Sequence, residues 1–190
     1  MTRSLLLATL SLLAVAATLS LIRTRSSIDN DGGHYCTNIA KSLNGTGSRF
    51  AGNIFVPADS GYATLTKQFA TGAYPENTAP SVVVEAMSEE DVQAAVLFAG
   101  RCGYTVSPRS AGHSYVGTSS CNGEKGLCMQ IDVSNLNHTS AEDDLLLAGP
   151  GVTLRQLADV CVENKFHIPS GECAAVTIGG HIQTGGFGLW

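Results

Sequence analysis

Hydrophobic and polar positions divide the chain into an uncharged leader, a polar stretch and a longer region of alternating short elements. Residues 4–22, between Arg3 and Arg23, carry no charge over nineteen positions, which predicts a signal peptide or a signal anchor rather than a core helix. Ala14-Val15-Ala16 offers a small-x-small cleavage pattern, whereas the continuation of the run to Ile22 with Arg23 and Arg25 behind it reads as a stop-transfer flank; both outcomes stay open. Residues 29–48 are polar and glycine-rich, an arm rather than core. Residues 50–57 alternate loosely as a short strand, and a helix is predicted over 60–71. The β-branched run Val82-Val83-Val84 predicts a buried strand. Ser88 with Glu89, Glu90 and Asp91 starts a helix, continued by Val92, Ala95, Val96 and Ala99 and closed by Gly103. Strands are then predicted over 104–107, over 127–133 with inward and outward residues alternating, and over 144–148, which Gly149-Pro150-Gly151 terminates. Thr153 caps a helix whose apolar face is Leu154, Leu157, Ala158, Cys161 and Val162.

This order predicts an α+β fold containing a β-α-β unit, the second strand of which delivers a loop at its carboxyl end, where open α/β sheets bind ligands. It is not a dinucleotide-binding unit of the G-x-G-x-x-G kind: that motif is missing after the first strand, and no helix is expected directly after the loop. Three regions are expected: residues 1–22 as the leader, 23–75 as an arm and lead-in, and 76–190 as the ligand-binding domain. At 190 residues and 44% hydrophobic, the chain suffices for one compact domain. A net charge of −5 argues against nucleic acid or an anionic membrane surface as partner. Either leader reading sends the domain to the extracytoplasmic side, secreted or anchored through residues 4–22, and the sequons Asn44-Gly45-Thr46 and Asn137-His138-Thr139 agree with that route. No metal site is expected, because the cysteines and histidines lack any C-x-x-C or other common zinc spacing.

Two stretches carry candidate chemistry. Pro108-Arg109-Ser110-Ala111-Gly112-His113-Ser114 follows a strand, and its proline is expected to end the β-character abruptly. Small residues there let backbone N–H groups approach a ligand, and successive N–H groups in a tight turn favour phosphate, with Arg109 adding charge. Read alone, the stretch is equally a solvated turn. The second stretch, 171–188, places six glycines in eighteen residues around one cysteine and one histidine, which predicts backbone that bends repeatedly and passes close to something.

Together these stretches resemble the PCMH-type FAD-binding domain of the vanillyl-alcohol oxidase superfamily, most closely its berberine-bridge-enzyme-like oxidases. There a loop reading R-S-G-G-H-S wraps the FAD pyrophosphate and its histidine is bonded to the flavin 8α-methyl; His113 is the matching residue. A second loop reads G-x-C-P-x-V-G-x-G-G-H followed by a glycine triplet, and its cysteine can attach to flavin C6; Cys173 matches. The resemblance implies FAD held by Arg109, Ser110, Ala111, Gly112, His113, Ser114, Cys173, Val176, Gly179, Gly180, His181, Gly185, Gly186 and Gly188. It departs from the family at Ala111, Thr177 and Thr184, where glycine is usual, and at Ala174, where proline is common. The implied activity is hydride transfer from a C–H of an alcohol, sugar or amine to flavin N5, followed by reduction of O2 to peroxide. By the same resemblance the substrate domain and the catalytic base lie beyond Trp190, so the catalytic residues are unknown and the chain alone is expected to be inactive. The alternative is a secreted or membrane-anchored glycoprotein module that keeps the fold without catalysis.

The six cysteines divide by context. Cys121 and Cys128 flank a turn-forming interval that a disulfide could close. From the residues alone, Cys161 is either paired with Cys173 or a buried thiol on a helix face. The resemblance assigns Cys173 to the flavin and implies a bridge between Cys36 and Cys102. His34, His138 and His167 are read as ordinary polar residues, and His181 as orienting its loop through a hydrogen bond.

Overall fold

The structure, a computed structural model, describes residues 50–69, 79–121 and 126–188, together with Cys36, Asn38, Ile39, Ser42 and Leu43. The leader, the first sequon and the expected end of the helix at Thr71 lie outside these residues. The chain divides into two compact units, 1–37 and 38–190. Only Cys36 of the first is described, so the architecture is that of the second.

Its elements are β1 (Asn53–Phe55), α1 (Tyr62–Thr66), β2 (Val82–Glu85), α2 (Glu89–Cys102), β3 (Thr105–Arg109), β4 (Cys128–Asp132), β5 (Thr139–Glu142), β6 (Leu145–Ala148), α3 (Leu154–Asn164) and α4 (Ile178–Thr184). The main sheet has the order β1-β2-β4-β3, with β1 antiparallel and the other three strands parallel. β2, α2 and β3 form the expected β-α-β crossover, but β4 lies between the two strands instead of leaving them adjacent. The alternation expected of β4 is absent: all five of its residues are buried. A central parallel strand is covered on both faces, so Gln130 and Asp132 go inside along with Met129 and Ile131.

α2 starts as its sequence demands. The Ser88 hydroxyl accepts from the Asp91 N–H at 3.2 Å, and Gly103 ends the helix at φ 70°, donating its N–H to the Ala99 carbonyl. Asp91 does more than complement the helix dipole. It is buried, and its carboxylate accepts from the backbone N–H groups of Ala51 and Met87, each at 2.9 Å. Phe98, Ala95 and Ala99 then pack the helix into the core with Val83 and Val84.

β3 runs two residues further than expected, through Pro108 and Arg109. Proline is tolerated because β3 is an edge strand, where a missing N–H donor leaves no ladder bond unmade. α1, by contrast, is short: Lys67 turns extended at ψ 130°, which frees residues 67–69 to cross toward the end of β3.

Beyond the main sheet, β5 and β6 form a hairpin turning at Asp143, φ 51°. β5 has no apolar alternation because most of it is exposed. α3 carries the expected Thr153 cap as a full capping box with Gln156. Its buried face is narrower than expected, comprising Leu154, Leu157 and Cys161, while Ala158 and Val162 are exposed. These three join Val152 in a small core against which Leu146, Ala148, Phe166, Val176 and Ile178 pack.

Cys121 and Cys128 are bridged. Cys36 and Cys102 are each disulfide-bonded, and Cys161 and Cys173 are free, which removes the alternative of complete pairing. Among the described residues no helix is long and apolar enough to cross a membrane, and no cluster of side chains could hold a metal ion.

Candidate cofactor site

The first candidate loop leaves the carboxyl end of β3, where Arg109 pairs with Asp132 of β4 and the Val133 N–H donates to the Arg109 carbonyl at 2.8 Å. The Arg109 guanidinium turns inward. Nη1 forms an ion pair with the fully buried Asp132 carboxylate, and Nη2 donates to the Lys67 carbonyl at 2.9 Å. Asp132 in turn accepts from the Ser134 N–H at 2.9 Å. A planar fork of donors suits this brace between three chain segments better than a flexible ammonium would. Arg109 was expected to add free charge to a phosphate loop; here Asp132 balances that charge, and the side chain is only 11% exposed.

Gly112 follows at φ 70°, and a Cβ there would come within 2.9 Å of Gln68 Oε1 and 3.0 Å of Arg109 Nε. Ala111, where the family has glycine, is not among the residues with positive φ, so alanine is unstrained. Gln68 is buried beneath the loop and accepts from the Ser119 hydroxyl at 2.7 Å. Phe69 donates its N–H to the Gly112 carbonyl at 2.9 Å and stacks its ring on His113, centroids 4.3 Å apart and planes 17° apart. Burial first, and then the Arg109 charge, hold the His113 imidazole below its ordinary value of 6.5. The ring is therefore mostly neutral near pH 7, with a nitrogen lone pair available.

The second stretch is not the continuous loop the glycine count suggested, because Gly179, Gly180 and His181 lie on α4. Its first turn is anchored by Ile178 N–H to Val152 O at 2.9 Å and Gly179 N–H to Pro150 O at 3.0 Å. A Cβ on Gly179 would approach Pro150 O to 2.8 Å, so this glycine serves close helix-to-loop packing. Gly185 ends α4 at φ 73°, its N–H donating to His181 O at 2.7 Å. His181 Nε2 accepts from the Gly171 N–H at 3.2 Å and so ties the two ends of the stretch together, the orienting bond expected of it. Cys173 is exposed on a turn closed by Val176 N–H to Cys173 O at 3.1 Å.

The two stretches meet at one hydrogen bond, from the Ala111 N–H to Thr177 Oγ1 at 3.2 Å. Lys67, Gln68, Phe69, Asp132 and Thr177 all shape the site, and none was singled out as a site residue from sequence. Only Thr177 had a signal there, as a departure from the motif.

The arrangement fits a dinucleotide such as FAD. Among the described residues, no backbone hydrogen bond engages the N–H groups of Gly112, His113 or Ser114. Three successive donors around a left-handed glycine, with no room for a side chain, make a nest for a phosphate oxygen. A neutral imidazole stands beside them.

Comparison with known proteins agrees. Residues 80–190 match the FAD binding domain family. The chain is 34% identical to an FAD-linked oxidoreductase, pynB, of Aspergillus niger over 60% of this chain and 20% of that protein. It is 32% identical to a xylooligosaccharide oxidase of Thermothelomyces thermophilus over 67% of this chain and 27% of that protein. The solved structure of Physcomitrella patens BBE-like 1 superposes with a TM-score of 0.68 at 27% identity, over 80% of this chain and 32% of that one. The chain thus spans about a fifth to a third of the length of these relatives. With its PCMH-type α+β fold, the chain belongs to the FAD binding domain family, and the relatives it matches are berberine-bridge-enzyme-like and FAD-linked oxidoreductases.

Proposed function

We propose that the protein is an oxidase that holds FAD covalently, through His113 at the flavin 8α carbon and Cys173 at C6, with the pyrophosphate on the Gly112–Ser114 nest. The remaining residues of the two stretches, Ser110, Val176, Gly179, Gly180, His181, Gly185, Gly186 and Gly188, surround the cofactor in this reading. The observation that carries it is the His113 ring stacked on Phe69, beside three N–H groups that no backbone carbonyl engages among the described residues. When bound, FAD supplies the two-electron chemistry, taking hydride from an alcohol, sugar or amine C–H and passing the electrons to O2. The xylooligosaccharide oxidase among the relatives supports a sugar as substrate class.

Joining the imidazole to the 8α carbon replaces one C–H and one N–H bond by a C–N bond. Each attachment would lose two protons and two electrons, the Cys173 bond replacing its S–H and the ring C6–H by a C–S bond in the same way, with O2 as the oxidant. A protonated imidazole has no lone pair to give, so attachment should be fast where His113 is neutral and slow in acid. Disulfides in the described residues support passage through an oxidising compartment, with residues 4–22 as the signal.

The test is acid precipitation of the protein, followed by flavin absorbance of the pellet. Flavin should remain with wild type and, through the one bond left, with His113→Ala and with Cys173→Ala, each with a shifted absorbance spectrum, and vanish in the double variant. Release of all flavin from wild type would remove the covalent reading. A peroxide-coupled assay across sugars, alcohols and amines then tests the oxidase, and turnover restricted to an artificial electron acceptor would make it a dehydrogenase.

A further inference from the structure

Two of the departures from the family's motifs touch each other. Thr177 is the N-cap residue of α4, and a threonine there ordinarily turns its hydroxyl onto the first N–H groups of its own helix. Thr177 makes no such bond. Its Oγ1 instead accepts the Ala111 N–H across 66 residues of sequence, at 3.2 Å.

The acceptor is held from every side. Thr177 is buried, and its backbone bridges Thr153. Its neighbours Val176 and Ile178 pack on the Val152–Cys161 core, while the Leu154 N–H donates to Val176 O at 2.8 Å and the Ile178 N–H to Val152 O at 2.9 Å. The donor lies between the Arg109 brace and Gly112, so its N–H direction is set by the same backbone that aims the nest. A glycine at position 177 could offer no acceptor. We propose that Thr177 is a positioning residue that fixes the loop 109–114 to the stretch 171–188, so that the segments bearing His113 and Cys173 are held in one register.

The proposal rests on the reading of both segments as FAD loops. It has a second consequence: the Ala111 N–H is closed off, so the phosphate nest begins at Gly112.

Thr177→Val keeps the shape and burial of the side chain and removes the acceptor, and Thr177→Ser restores it. Hydrogen exchange of the Ala111 amide reads the bond directly and without FAD. Thr177→Val should exchange it about three- to tenfold faster, the range expected for losing one hydrogen bond, and should slow covalent attachment of added FAD by a similar factor, while Thr177→Ser returns both toward wild type. Unchanged Ala111 exchange in Thr177→Val, or a loss that serine does not recover, overturns the proposal, and so does faster exchange with an unchanged rate of FAD attachment. Gly112→Val separates this from the underlying reading. If that variant binds and attaches FAD as wild type does, the segments are not FAD loops and the proposal falls with the reading; if it fails to attach FAD, the Thr177 variants decide.

Discussion

The two glycine-bearing segments use the same residue for different reasons. In the first, Gly112 is glycine because its backbone is left-handed, at φ 70°, with the side-chain ends of Gln68 and Arg109 crowding a Cβ as well. In the second, Gly179 has ordinary helical backbone and is glycine because Pro150 leaves no room for a Cβ. Gly180, the next residue, has neither reason: it is helical, exposed, and a Cβ there meets nothing within 4 Å. Glycines in such stretches therefore report at least two different constraints, and at Gly180 neither, which the motif alone does not tell apart.

The largest effect should come from removing what braces the first segment. Asp132→Ala leaves the Arg109 guanidinium buried without its counter-charge, which costs about 3–5 kcal/mol. Chemical denaturation should show that loss, and substituting Arg109→Met in the same background should recover part of it. A loss below about 1 kcal/mol would mean that the pair is solvated in solution.

Next come Gly179→Ala and Gly112→Ala, at about 1–3 kcal/mol for crowding Pro150 and about 1–2 kcal/mol for left-handed strain. Asparagine, which tolerates a left-handed backbone, sharpens the contrast. Gly112→Asn should be milder than Gly112→Val, whereas at position 179 asparagine should be at least as damaging as alanine. Equal rankings at both sites in thermal unfolding would erase the distinction.

A smaller effect is expected of Gly180→Ala, and in the opposite direction: alanine in an open helical position should stabilise by roughly 0.5–1 kcal/mol. If flavin binding weakens while the melting temperature rises, Gly180 faces the cofactor; a fall in both would contradict the open space seen there.

The smallest is a shift in pH profile. Burial and Arg109 lower the His113 value below 6.5, so the midpoint of covalent attachment should lie below that pH, with attachment slowing as the solution becomes more acidic. Phe69→Ala uncovers one face of the ring and should move the midpoint upward, toward 6.5. A midpoint already above 6.5 in wild type would reverse the assignment.

Local chemistry made much of this legible from sequence. Ser88 and Gly103 bracket α2, and Thr153 with Gln156 opens α3, because capping involves residues only three or four apart. The Cys121–Cys128 bridge was likewise local. What sequence did not disclose was set at long range. β4 is buried on both faces because it enters the sheet between two strands that precede it, which no alternation within five residues could reveal. Pro108 read as a stop signal because nothing local says that β3 is an edge strand. At the site, the motifs located His113, Cys173 and the glycines, but Phe69 and Gln68 follow a helix that ended earlier than its pattern suggested. Their role appears only when the chain crosses to the end of β3.

The stretch from Ser110 to Ser120 has both feet on a single strand. At one foot Arg109 holds Asp132, the last residue of β4; at the other Cys121 is bridged to Cys128, the first. The stretch is thus an arch on a rigid base of four strand steps, about 13 Å at roughly 3.3 Å each. An arch with fixed footings cannot slide along its base; under load it can only buckle. A molecule seated against His113 would press on its crown, and the thrust would pass at both ends into the most deeply buried strand of the sheet.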